Sequence, residues 1–132
     1  MEVLIVIAII LILTSAVGFM AFRYIDKARQ VSTKSQLETL SLALNAYALD
    51  CKQYPSKEQG LDALWVKPTI EPMPAGWSGP YVNKKITADP WGHVYEYIVP
   101  GPNGLPFGIS SLGADGKEGG EGNDKDITSW ED

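Results

Sequence analysis

Twenty consecutive uncharged residues, Val3 to Phe22, mostly Ile, Leu and Val, open this chain of 132 residues. At about 1.5 Å of rise per residue such a helix covers roughly 30 Å, the hydrocarbon thickness of a bilayer. A secretory signal would show a basic start, a shorter apolar core and a small-x-small cleavage site, and none stands out here, so the run reads as membrane-spanning. Glu2 sits at its mouth. A carboxylate there either reaches interface water or meets a cation within the apolar medium. Arg23, Lys27 and Arg29 follow the span and only the amino terminus precedes it. On these residues alone, the positive-inside rule sends the other 110 residues to the cytoplasm.

No Pro or Gly interrupts Phe19 to Tyr54. Small or apolar residues recur at Tyr24, Ala28, Val31 and Ser35, then at Leu37, Leu40, Leu44, Tyr47 and Ala48, which is helical spacing. The pattern predicts one helix from about residue 3 to 50, roughly 70 Å long, with its first half in lipid and its second half docked by one face on a globular domain. Pro55 ends it. A short helix capped by Ser56, with Gln59 at the capping-box position and Leu61, Leu64 and Trp65 on its apolar side, is expected next. Four prolines and two glycines between Pro68 and Pro80 predict a surface loop that packs Trp77 on the domain. Two or three short strands follow: His93–Val99 pairs antiparallel with Phe107–Leu112 across a turn at Pro100–Pro106.

Charge narrows the function. Eleven basic against sixteen acidic residues give −5, and residues 112–132 carry all of it: seven acids (Asp115, Glu118, Glu121, Asp124, Asp126, Glu131, Asp132) against two lysines. The rest is neutral, with no basic stripe for nucleic acid. One cysteine, Cys51, excludes an intrachain disulfide and a multi-cysteine zinc site, and one histidine, His93, excludes two-His zinc motifs. His93, opening a strand, reads as a packed or surface residue. Cys51 reads as a half-buried thiol at a helix end, and Trp65, Trp77, Trp91 and Trp130 as core or rim. Neither a nucleotide loop nor a Gly-x-Ser-x-Gly motif occurs. The Gly-rich acidic tail is too poor in apolar residues to pack alone. Asp115, Asp124 and Asp126 on a flexible loop suit calcium, which takes six to eight oxygens in forgiving geometry, although no EF-hand spacing is present. A solvated acidic tail is the alternative reading.

Met1-Glu2-Val3-Leu4-Ile5 and its apolar continuation resemble the start of type IV pilins and type II secretion pseudopilins, with Met1 in the place that precedes the glutamate. In that pattern a cleaved basic leader and three mature residues stand ahead of Met1. The resemblance thus assigns the positive charge to the leader and the globular part to the periplasm. Tyr54-Pro55-Ser56-Lys57-Glu58-Gln59-Gly60-Leu61-Asp62-Ala63-Leu64, Asp89-Pro90-Trp91-Gly92-His93-Val94-Tyr95, and the tail Ser111–Gly116 with Asp126–Trp130 are similar to motifs of the major, G-type pseudopilins. The resemblance covers nearly the whole chain.

It implies an α+β, pilin-like fold: one long N-terminal helix, its first half transmembrane (residues 1–22), and a periplasmic domain (residues 23–132) with a small antiparallel sheet and a calcium-ordered C-terminal loop. It implies a non-enzymatic subunit, anchored by a single pass in the inner membrane, that self-assembles into a helical filament driving folded proteins through the outer membrane. Calcium would be held by Asp115, Asp124, Asp126 and the Leu112 carbonyl. Glu2 would neutralise a neighbour's terminal ammonium during assembly. Implied partners are minor pseudopilins, the inner-membrane assembly platform, membrane lipid and, on the precursor, prepilin peptidase. N-terminal methylation is a further implied feature. Where many relatives carry a Pro near Phe19 and a Gly near Leu11, linked to helix unwinding, this chain has only Gly18. The competing readings are a type IV or competence pilin and, remotely, a membrane-anchored periplasmic enzyme using Asp89 and Glu96 as paired carboxylates.

Overall fold

The computed structural model describes residues 1–86 and 88–130; the tail acids Glu131 and Asp132 lie outside the described residues. Helix α1 runs unbroken from Glu2 to Cys51, and at Gly18 it shows no interruption. Its end is set by Lys52, which adopts a left-handed conformation (φ 64°) while its amide donates to the Ala48 carbonyl at 2.8 Å. That closes the last turn as a glycine would, with a Cβ to accommodate.

Only the second half of α1 is docked. Thr33, Leu37, Leu40, Leu44 and Tyr47, spaced by four and three, are buried to 1% exposure or less and form one stripe against Ala63, Leu64, Tyr95 and Ile109. The expected stripe began at Tyr24, about two and a half turns earlier. Tyr24 and Val31 are instead 67% and 62% exposed, and Ala28 and Ser35 face outward as well. Periodicity identifies an apolar face without saying what covers it. From Val3 to Leu13 every large apolar side chain is exposed, and helix α1 contains a window long and apolar enough to cross a membrane, none of it buried.

Ser56 and Gln59 form the expected reciprocal capping box: the Gln59 amide donates to Ser56 Oγ (3.2 Å) and the Ser56 amide to Gln59 Oε1 (2.9 Å). No α-helix grows from it. Gly60, at φ 62° and ψ −163°, turns the chain out of helix, and a 3₁₀ turn, Leu61–Leu64, delivers Ala63 and Leu64 to the core. Gln59 then ties down the proline-rich loop through Nε2, which donates to the carbonyls of Ile70 (3.0 Å) and Pro72 (2.7 Å). Trp77 Nε1 donates to the Ala63 carbonyl at 2.8 Å, fixing the loop as expected. All four tryptophans are half-buried at the rim.

The sheet is antiparallel in the order β1 (Glu96–Ile98), β2 (Gly108–Ser111), β3 (Ile127–Thr128). Tyr97 pairs with Ile109 and Ser111 with Ile127. The first two strands are shorter than the predicted runs. The third lies in the tail, where the sequence offers a single isoleucine among polar neighbours and no alternation. It forms because β2, buried along its whole length, has a free edge that the returning chain can satisfy.

Candidate functional site

β2 delivers the chain to Leu112, where the acidic tail begins. Gly113 (φ 76°) and Gly116 (φ 68°) bend it, and between them Asp115 Oδ1 accepts from the Lys117 amide at 3.0 Å, a local turn that leaves the carboxylate exposed. Gly120 (φ 99°) lies so close to the following 3₁₀ turn, Gly122–Asp124, that a Cβ there would stand 2.6 Å from the Asp124 carbonyl oxygen. The returning segment is anchored at several points. Gln30 Nε2 on α1 donates to the Gly122 carbonyl (3.0 Å), the Gly119 amide to Asp126 Oδ2 (3.0 Å), and the Ser129 amide to the Ile109 carbonyl (2.9 Å).

Leu112 and Asp126 line one open hollow of about 390 Å³, together with Glu118, Thr128 and Trp130. Two polar atoms of this group, Asp126 Oδ1 and Thr128 Oγ1, are buried without a hydrogen-bond partner. A carboxylate oxygen withdrawn from water and unpaired is costly, so it calls for a cation or a donor. The side-chain donors on offer are carboxylate and hydroxyl oxygens, which belong to the set that hard cations such as calcium take. Asp115 and Asp124 do not line the hollow, and among the described residues no three carboxylate, imidazole or thiol groups converge as one metal-binding set. The fold therefore brings together two of the four residues expected to hold calcium, and leaves two exposed on flanking turns.

Beneath the tail lies an arrangement that the sequence did not single out. Asp89, 5% exposed, accepts through Oδ1 from the amides of Trp91 (3.1 Å) and His93 (2.8 Å), and through Oδ2 from Ser111 Oγ (2.5 Å). Its own amide donates to the His93 carbonyl at 2.8 Å. This closes the Asp89–His93 turn and clamps it to the end of β2. Glu96, by contrast, is exposed on β1. The two acids that a catalytic reading would pair differ in kind, one a structural clamp and the other a surface residue. The clamp depends on Ser111, too far along the chain for local spacing to reveal.

At the other end of α1, Glu2 is exposed in the first helical turn, beside the Met1 amino terminus. Cys51 is half-buried near Tyr47 and Tyr81, and burial pushes its thiol pKa up, away from reactivity. Tyr81 Oη donates to Asp50 Oδ2 at 2.7 Å and accepts from the Ser78 amide at 3.0 Å.

The family model for type II secretion system protein G matches residues 20–130. A type II secretion system core protein G of Pseudomonas aeruginosa is 43% identical over 130 residues, 98% of this chain and 91% of that one. The Vibrio cholerae core protein G is 41% identical over 131 residues, 98% of this chain and 88% of that one. The crystal structure of the major pseudopilin from the type 2 secretion system of enterohaemorrhagic Escherichia coli superposes with a TM-score of 0.68 at 38% identity, covering 80% of this chain and 89% of that one.

Proposed function

Because the chain belongs to the type II secretion system protein G family, we propose that it is a structural subunit, not an enzyme, which is anchored in the inner membrane and polymerises into the periplasmic pseudopilus. The observation that carries this reading is the part of α1 up to Phe22. It stands clear of the domain with Val3–Leu13, Val17, Met20 and Phe22 exposed, a surface that water does not tolerate and that lipid, then neighbouring helices, would cover. Such helix packing is head-to-tail and does not close, so it grows. Glu2 pairs with the terminal ammonium of the next subunit, an attraction strengthened by the apolar surroundings. Minor pseudopilins and an inner-membrane platform act as partners, and prepilin peptidase acts on the precursor.

Calcium completes the tail in this reading. Asp126 and the Leu112 carbonyl hold it, with Asp115 and Asp124 supplying the remaining carboxylates. The unpartnered Asp126 Oδ1 supports the assignment. Bound calcium neutralises carboxylates that otherwise repel, and fastens the loop to the sheet.

The test has two arms. In a bacterium lacking its own major pseudopilin, this chain restores secretion of a folded exoprotein and Glu2→Ala does not; a subunit that inserts and folds yet restores nothing refutes the filament reading. For the full chain in detergent micelles, calcium at a hundredfold excess over its Kd adds about 2.7 kcal/mol, a rise in Tm on the order of 10 °C over EGTA. Asp126→Ala abolishes the rise. No shift in the parent protein refutes the metal site.

A further inference from the structure

His93 is the only imidazole in the chain, and its place is set from behind. Its amide and carbonyl are both bound to Asp89, which is itself fixed to Ser111 at the end of β2. From that fixed backbone the half-buried ring reaches over the start of the tail. Nε2 lies 3.3 Å from the Ala114 carbonyl oxygen, and donates to it in the tautomer protonated there. The ring also fills the space beside Gly116: a Cβ on that residue would stand 2.8 Å from Cε1 and 2.9 Å from Nδ1. On the opposite flank the Gly113 amide contacts Ser111 Oγ at 3.4 Å. The segment 112–116 is thus gripped at both ends by groups that trace back to one buried carboxylate.

We propose that His93 is a positioning residue, a bracket that holds the Leu112–Gly116 segment against the sheet before any metal arrives, and so raises the affinity of the loop for calcium. The grip on the loop needs no ligand; the gain in affinity rests on the calcium reading above. A loop held in advance has less freedom to lose on binding. Gly116 belongs to the same device, since only a residue without a side chain lets the ring sit over the backbone.

Amide hydrogen exchange on the full chain in detergent micelles, with EGTA present, tests the grip. One hydrogen bond and its ring contact predict exchange about 2- to 10-fold faster across residues 113–117 in His93→Ala, with the α1 core segment 37–47 unchanged. His93→Gln, whose amide nitrogen can donate to the same carbonyl, restores slow exchange. Calcium titration of the same proteins should show a Kd raised by a similar factor in His93→Ala and recovered in His93→Gln. Unchanged loop exchange in His93→Ala overturns the proposal, as does a loop and core that speed up equally, which marks global loosening. A parent without any calcium response overturns the metal reading and the affinity claim with it. A responsive parent whose His93→Ala variant binds calcium equally well overturns the bracket's role in affinity alone.

Discussion

Replacing Asp89 separates a structural carboxylate from a catalytic one. Asp89→Ala strands two backbone amides and the Ser111 hydroxyl inside the domain. Each buried donor left without a partner costs roughly 1–3 kcal/mol, and because the three share one site the sum is not simply additive. The expected loss is about 4 kcal/mol, at the diagnostic end for a point substitution. In a folded part of this size that lowers Tm by on the order of 20 °C. Asp89→Asn behaves differently. Its carbonyl oxygen still accepts from Trp91 and His93, and its amide can donate to Ser111 Oγ, a hydroxyl that accepts as readily as it donates. What remains is the lost charge assistance, about 1–2 kcal/mol. Urea unfolding of the full chain in micelles, followed by tryptophan fluorescence, measures both. If alanine costs under about 1 kcal/mol, or if alanine and asparagine cost the same, the clamp does not work through these three hydrogen bonds and the reasoning fails.

Alkaline pH should weaken the domain. Burial is the first cause that pushes Tyr47, Tyr81 and Tyr95 up to about 12, and it raises Tyr97 as well. These phenols ionise near 10 in the unfolded chain, so their contribution is complete below about pH 10 and is lost between about 10 and 12 as the unfolded state releases protons first; Tm measured against pH should be flat up to that point and then fall. Gly76→Ala places a Cβ 2.2 Å from the Asp50 carbonyl oxygen at the end of α1, and should cost about 1–3 kcal/mol in urea unfolding, with no loss marking a loop that can move aside.

The long helix was legible because an uninterrupted periodic run without Pro or Gly admits little else. The start of its docked face was misplaced by about two and a half turns, since Tyr24 and Val31 satisfy the same periodicity as Leu37 and Leu40 yet remain exposed. The Ser56 and Gln59 box was read correctly as a pair, and the helix it announced was cut short by the backbone of Gly60. β3 went unread because its two residues acquire strand geometry only from pairing with Ser110 and Ser111. The tail acids were recognisable as one group, but spacing could not show that Asp126 alone among the three would turn an oxygen inward. The Asp89 clamp was hidden for the same reason: its partner is 22 residues away in sequence.

The ten residues between Phe22 and Thr33 belong to neither the apolar run nor the docked stripe. At helical rise they raise the first docked residue roughly 16 Å beyond the end of the span. The headgroup layer on one side of a bilayer occupies only about 5–8 Å of that height. On the proposed membrane reading the domain is therefore held aloft like a lamp on a stiff stem, with Arg23 and Lys27 at the level of the headgroups and Arg29 just above them. A stem without Pro or Gly past Gly18 has no joint at which to fold over. Any tilt or rotation imposed on the anchored half is then delivered in full to the domain, and a subunit lifted out of the bilayer would carry its sheet and acidic tail upward at a height fixed before it moves.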